Sequence, residues 1–379
     1  MSQQSKSKHI AIIGGGPIGC YTAYLLATQG HNVHLYEEHA QIGKPIQCTG
    51  LLTADFDKYF PKLDKSQFLV NIFEAVKVKT QNKKIIIPQQ EYLVCRTKFD
   101  SYFGRLAQKA GAKIHLNHSF RRKEGDALII KDSKENIERT VLPDITIAAD
   151  GPLSKTAKAY GIFHKERKNY YGIQALVKIK KGKGCFDPKT FDVYFGENFC
   201  KDFFIWVVPE STTLARVGLC SKQQSKQIFD KFMQNHPGWE IEEMQAGVIP
   251  IYEHPQQLYK DNCFVVGDAA GHVKATTLGG LIPGLRAAEF LAQSIQEEKP
   301  KSYMKKCRKL RYELKLHRMI RNSMDSFTDI DWDRLLDLTN QSKVQNILQK
   351  YSRDNPIPLV SSILLKEPRY LRFAKYLFK

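Results

Sequence analysis

Three glycines spaced Gly14-x-Gly16-x-x-Gly19 lie between a short apolar run, His9–Ile13, and a helical stretch that reaches about Gln29. This spacing constrains the chain more than any other feature, because it suits a tight strand-to-helix turn. The first glycine permits the turn, the second lets the backbone approach an anion, and the third lets helix and strand pack closely. Pro17 and Ile18 occupy the positions between the second and third. Gly30 ends the helix, and Asn32–Tyr36 alternates as a second strand finishing on Glu37. Ala23 keeps the helix near the sheet. The opening is therefore a βαβ unit whose turn and helix N-terminus hold a pyrophosphate, while Glu37 is placed to accept from a ribose: a dinucleotide-binding unit.

The rest of the chain divides by pattern. After an irregular Gly/Pro/Thr stretch from Gln41 to Thr53, lysine-interleaved segments at Ala75–Thr80 and Lys83–Pro88 read as a β-ribbon, and Lys98–Gly111 as a helix. Short strands follow at Ile114–Asn117, Ala127–Lys131 and Ile137–Val141, and a buried strand at Asp144–Ala149 leads into Asp150-Gly151. From Tyr171 to Cys220 the pattern is antiparallel and rich in Val, Ile, Phe and Tyr. A helix at Ser225–Gln234, a strand at Gly247–Tyr252 and an apolar strand at Cys263–Val266 come next, and the chain is mostly helical after Gly280. The expected architecture is α/β with α+β elements: a discontinuous Rossmann-like domain (about 1–165 and 257–298), an inserted antiparallel substrate sheet (about 166–256) and a basic helical C-terminal region (about 299–379).

An apolar content of 42% and aromatic content of 11% belong to a folded chain, not a disordered one. The opening MSQQSKSK lacks the apolar core of a secretory signal, and no run is long enough to span a membrane, so a cytoplasmic location is expected. The 8 cysteines include no CxxC pair, which argues against a zinc site and a disulfide framework, and no metal is expected. A net charge of +19 attracts polyanions such as anionic membrane surfaces, phosphorylated substrates or nucleic acid, and no aromatic-basic motif supports the last. Lys299–Asn322 concentrates the charge, as a membrane-docking face, a seat for a substrate phosphate or a solvated helix face.

Three further marks occur in the order found in the large FAD family related to para-hydroxybenzoate hydroxylase, which this chain resembles. Arg96, opening the Lys98–Gly111 helix region, matches the arginine that family places near the cofactor. Asp150-Gly151 followed by Ser154 resembles its DG motif, although Ala157 stands where an arginine is usual. Gly267-Asp268-Ala269-Ala270-Gly271 matches its second FAD motif, in which the aspartate binds the ribityl chain and the next helix, here starting at Gly279-Gly280-Leu281, directs its N-terminus at the flavin. The resemblance implies FAD as the cofactor.

Within that superfamily the chain resembles the geranylgeranyl reductase family, including digeranylgeranylglycerophospholipid reductases. Gly43–Gly50 is similar to its PxQC stretch, whose cysteine, here Cys48, lies by the flavin. Phe204-Ile205-Trp206-Val207-Val208-Pro209 is similar to its YxWxFP motif, which implies Phe204, Trp206 and Pro209 in a lipid cavity. Phe204, Val208, Cys220, Ala275 and Leu278 depart from the family pattern. The implied activity is reduction of isolated double bonds in geranylgeranyl-type isoprenoid lipids by hydride transfer from reduced flavin. An unpolarised alkene then needs a dry, positioning pocket and a coupled proton, for which Cys48 is the candidate catalytic group; His272 reads as a structural histidine. The external reductant is open between NADPH and a ferredoxin-like protein, since no second glycine fingerprint is present. Two other readings stand beside this one: an FAD monooxygenase or halogenase, and a basic flavin-containing protein that binds membrane or nucleic acid.

Overall fold

The computed structural model describes residues 7–377, so the polar opening stretch lies, through residue 6, outside the described residues. The chain forms two compact units. One runs through Ile46 and adds Arg96–Lys168 and Pro250–Lys315; the other takes Gln47–Cys95, Asn169–Ile249 and the chain from Leu316 onward.

The first unit is built on a parallel sheet. His9–Ile13 lies between Ile145–Ala148 and Asn32–Glu37, with Cys263–Val265 and Lys113–Leu116 outside them, all parallel. Tyr259–Lys260 adds an antiparallel edge that makes the sheet six-stranded. A central parallel strand is covered on both faces, which is why His9–Ile13 is a continuous apolar run: Ile10, Ala11 and Ile12 are fully buried. The Pro17–Thr28 helix starts with proline in its first turn, and the chain leaves it through Gly30 at φ 86°. It packs on the helices Arg96–Lys109 and Leu281–Gln296. A three-stranded meander, His118–Glu124, Ala127–Asp132 and Ile137–Val141, completes this unit's sheets.

The second unit carries an eight-stranded sheet in the order Trp239–Pro250, Asn169–Ile179, Leu214–Ser221, Cys200–Pro209, Thr190–Gly196, Leu69–Lys79, Lys84–Val94 and Leu51–Thr53. The ribbon at Leu69–Lys79 and Lys84–Val94 thus belongs to this sheet, within a stretch whose pattern alone put it in the first domain. It joins through a parallel pairing of Leu69–Lys79 with Thr190–Gly196, so the sheet is not wholly antiparallel. That register gathers Phe73, Val76, Val78, Phe191, Val193 and Val208 into one core. Trp239–Pro250 is longer than the Gly247–Tyr252 strand expected. It lies at the sheet edge and carries exposed Glu240, Glu242 and Glu243, charges that suit an edge and hide its strand character from hydropathy.

The basic stretch after Lys299 forms two helices, Ser302–Lys306 and Arg308–Met324. Several of its cations are paired: Lys306 with Glu297 at 2.8 Å, and Arg321 with Asp325 at 2.7 Å. Glu313 is buried and accepts from Arg286 at 2.9 Å. Asp329–Thr339 is a helix set by a capping box in which Thr328 and Asp331 satisfy each other's backbone. Among the described residues no helix is long and apolar enough to cross a membrane.

Candidate functional site

In the first unit, each of the three opening glycines answers to a different neighbour. A Cβ on Gly14, at φ 105°, would lie 2.4 Å from the Ala149 carbonyl oxygen, and one on Gly19 would lie 2.0 Å from the Gly14 carbonyl oxygen. A Cβ on Gly16 would meet nothing within 4 Å. Gly16 precedes a helix with no side-chain cap, and Pro17 contributes no N–H, so the first-turn amides at Ile18 and Gly19 have no capping side chain, at a helix N-terminus with open space beside Gly16. Room beside uncapped amides fits an anionic group, as a dinucleotide pyrophosphate is.

Glu37 is buried at the end of its strand. Its Oε2 accepts from Gly15 N at 2.6 Å and its Oε1 from His39 N at 2.9 Å, which locks the carboxylate beside the turn and leaves Oε2 a second acceptor direction. Arg96 opens its helix as the donor of a two-pronged bond to Asp100, 3.0 Å from Nε and 2.9 Å from Nη2. Burial raises the Asp100 pKa, with Arg96 opposing the rise. Asp150 accepts from Ser154 Oγ and, at 2.9 Å, from Thr156 N, so its carboxylate ties the strand end to the start of a short helix. Burial raises its pKa too. Ala157, where the family arginine is missing, donates its N–H to Ser154 Oγ at 2.9 Å and is buried. Gly151 follows at φ 76°.

The second motif folds as a 3-10 turn, Gly267–Ala270, between left-handed glycines at φ 66° and 68°, Gly267 and Gly271. Gly280 precedes the Leu281–Gln296 helix, again with no side-chain cap. A Cβ on Gly280 would lie 2.9 Å from Asp268 Oδ1, which sets the carboxylate against this helix start, while one on Gly279 would lie 3.1 Å from the Lys274 side chain. Burial raises the Asp268 pKa, opposed by the charges of Arg96 and Arg167. Arg167, which the motif reading passed over, donates to the carbonyls of Asp268 and Ala269. His272 is fully buried with its pKa lowered to about 3, first by burial and then by Arg167 and Arg311. It is therefore neutral near pH 7 and ill suited to proton donation.

In the second unit, Cys48 is half-buried, and its sulfur accepts from Gly50 N at 3.4 Å. The next residue, Thr49, donates its hydroxyl to Gln174 Oε1 at 2.6 Å, and the same oxygen accepts from Trp206 Nε1 at 3.0 Å. Buried Gln174 thus joins the Cys48 loop to Trp206; no motif marked it. Arg216 adds a second tie, donating to the carbonyls of Thr49 and Val94. Phe204 stacks on Phe203 at 4.2 Å between centroids and meets Trp206 edge-on at 6.2 Å. Phe204, Trp206 and Val208 share one strand parity and one apolar cluster. Pro209 falls on the other parity, buried, with its carbonyl accepting from Asn71 at 3.2 Å. Cys220 is buried, which pushes its thiol pKa up. Among the described residues no cluster of metal-ligating side chains occurs.

The geometry singles out a glycine turn in one unit and a thiol with neighbouring aromatic side chains in the other, and the chain as a whole is similar to known proteins. Residues 12–48 match the NAD(P)-binding Rossmann-like domain family. The digeranylgeranylglycerophospholipid reductase of Methanocaldococcus jannaschii is 26% identical over 392 residues, 97% of each chain. The chain is a relative of the digeranylgeranylglycerophospholipid reductases. A second such reductase, from Methanothermobacter thermautotrophicus, is 27% identical over 90% of this chain and 96% of its own. The fold matches that of a geranylgeranyl bacteriochlorophyll reductase-like protein from Thermoplasma acidophilum, with a TM-score of 0.81 at 21% identity over 98% of this chain and 99% of that one. It also matches the flavin-dependent halogenase CmlS, with a TM-score of 0.71 at 17% identity over 97% of this chain and 79% of that one.

Proposed function

We propose that this protein is an FAD-dependent oxidoreductase that reduces isolated double bonds of geranylgeranyl-type isoprenoid lipids. The observation that carries this reading is the similarity to digeranylgeranylglycerophospholipid reductases along almost the whole of both chains. Gly14, Gly16, Pro17, Ile18, Gly19 and Glu37 hold the adenosine diphosphate half of FAD. Arg96, Asp150, Gly151, Gly267, Asp268, Gly279, Gly280 and Leu281 hold the remainder, the carboxylate of Asp268 taking the ribityl hydroxyls. Bound FAD, once reduced, supplies a hydride to one alkene carbon.

The other carbon needs a proton, and the chain offers the Cys48 thiol, an S–H donor held in place by the Thr49–Gln174–Trp206 hydrogen bonds. Phe204 and Trp206 provide apolar surface against which a prenyl chain is oriented and from which water is excluded. Pro209 shapes the end of that strand. Electrons come from an outside donor, a nicotinamide or a ferredoxin-like protein. Surplus positive charge brings the protein to anionic lipid surfaces, where each nearby Lys or Arg contributes about 1 kcal/mol.

The test is to incubate dithionite-reduced holoprotein with geranylgeranyl lipids of several headgroups and follow the mass of the chains. The expected result is stepwise gain of two hydrogens per double bond; no saturation of any of these lipids overturns the reading. The halogenase-like fold motivates a second arm with oxygen and halide. A hydroxylated or halogenated product in place of a saturated one would support the monooxygenase or halogenase alternative.

A further inference from the structure

Arg167 lies in the first unit within a Lys/His/Glu/Arg-rich stretch that carries no motif, yet it is a buried guanidinium, 8% exposed. Its Nη1 donates to the carbonyl oxygens of Asp268, at 3.2 Å, and Ala269, at 2.9 Å. Its Nη2 donates to Gln256 Oε1 at 2.7 Å, and Gln256 in turn donates to the carbonyls of Ile162, at 3.2 Å, and Gln257, at 2.7 Å. The cation also stands 4.7 Å over the Phe163 ring. A Cβ on Gly271 would lie 3.6 Å from Arg167 Cζ, ordinary van der Waals contact, so the guanidinium packs beside the exit of the 3-10 turn. Arg167 therefore grips the backbone of the turn, while the Asp268 carboxylate is set against Gly280 and the start of the Leu281–Gln296 helix.

Burying a guanidinium is costly, and burial lowers the Arg167 pKa to about 10, with Asp268 and Glu253 opposing the shift. A neutral side chain could satisfy two carbonyls with less desolvation. What a cation adds is polarisation of both carbonyls in one rigid fork and a positive charge felt by Asp268.

We infer that Arg167 is a positioning residue for FAD: it fixes the Gly267–Ala270 turn so that the Asp268 carboxylate is presented in one orientation to the ribityl chain. The inference rests on the FAD reading above. It predicts that Arg167 acts through Asp268 and not on the cofactor directly.

A double-mutant cycle tests this, with FAD affinity of the apoprotein read by flavin fluorescence titration in wild type, Asp268→Ala, Arg167→Met, Arg167→Lys and the double variant. Arg167→Met is expected to weaken FAD binding about 10- to 100-fold, as one or two contacts of the Asp268 carboxylate are lost, and Arg167→Lys, which keeps the charge but not the fork, to restore only part of it. In the Asp268→Ala background the further effect of Arg167→Met should shrink to less than about threefold. Equal factors in both backgrounds, or wild-type affinity in Arg167→Met, overturn the inference. Should apo Arg167→Met fail to fold, Gln256→Leu frees Nη2 and is read in the same cycle with the same criterion. Failure of wild type to bind FAD overturns the FAD assignment itself, and unchanged affinity in Asp268→Ala overturns the role given to Asp268; both are thereby distinguished from failure at Arg167.

Discussion

Gly16 and Gly19 should fail in opposite ways when each is changed to alanine. Gly16 has φ −65° and ψ 175°, ordinary for alanine, and its new methyl would touch nothing within 4 Å. Alanine is a poorer helix N-cap than glycine by a few tenths of a kcal/mol or more. It also restricts the unfolded chain, which stabilises by about 0.4–1 kcal/mol. The two nearly cancel, so the stability of Gly16→Ala should stay within about 0.5 kcal/mol of wild type. The methyl would nevertheless stand in the open space at the uncapped helix N-terminus. Losing one or two charge-assisted contacts to the pyrophosphate should weaken FAD about 10- to 100-fold. Gly19→Ala places its methyl 2.0 Å from the Gly14 carbonyl oxygen and 3.3 Å from Ala149 Cβ, so strand and helix must separate. Overpacking of this kind costs about 1–3 kcal/mol, and a backbone atom yields less readily than a side chain. Urea unfolding of the apoproteins, paired with FAD titration, separates the two effects. Wild-type FAD affinity in Gly16→Ala would refute the cradle, and wild-type stability in Gly19→Ala would refute the packing argument.

Two further expectations concern other parts of the molecule. His34 Nδ1 lies 3.0 Å from His115 Nε2, and burial, followed by the neighbouring His115, lowers the His34 pKa from 6.5 to about 4. Between those values the unfolded chain binds more protons than the folded one, so stability is full above pH 6.5 and falls as the pH drops towards 4. Because the ring is half exposed, the loss is discounted for solvent screening to about 1–2 kcal/mol. Urea unfolding at pH 7 and 4.5 should show it, reduced in His34→Phe; an equal fall in that variant removes His34 as the cause. In the second unit, a Cβ on Gly218 would lie 2.7 Å from both the Ile173 carbonyl oxygen and the Trp206 ring. Gly218→Ala should cost about 1–3 kcal/mol and push Trp206 off Gln174, changing tryptophan emission and slowing lipid reduction while FAD affinity holds. Unchanged emission and turnover would show that Trp206 is not held as described.

What could be seen in the sequence follows from how local each constraint is. The opening βαβ unit is legible because strand, turn and helix are specified by neighbours a few residues apart, and the observed strand Asn32–Glu37 ends on the acid that was singled out. The Ser225–Gln234 helix coincides with its expected span for the same reason. The attachment of Leu69–Lys79 to Thr190–Gly196 was not legible, because a parallel pairing between segments so far apart leaves no mark in either one. Arg167 and Gln174 were hidden by their chemistry. Each works through hydrogen bonds to groups distant in the chain, Arg167 to backbone carbonyls and Gln174 to Thr49 and Trp206, and a polar side chain that is satisfied by tertiary contacts has no periodicity to betray it. Motifs thus identified the groups expected to meet cofactor and lipid, whereas the residues that hold those groups still appeared only with the fold. For Trp206 this distinction matters, since an aromatic in a sheet is ordinarily core, and what marks it out is an indole N–H sharing one acceptor with the residue next to Cys48.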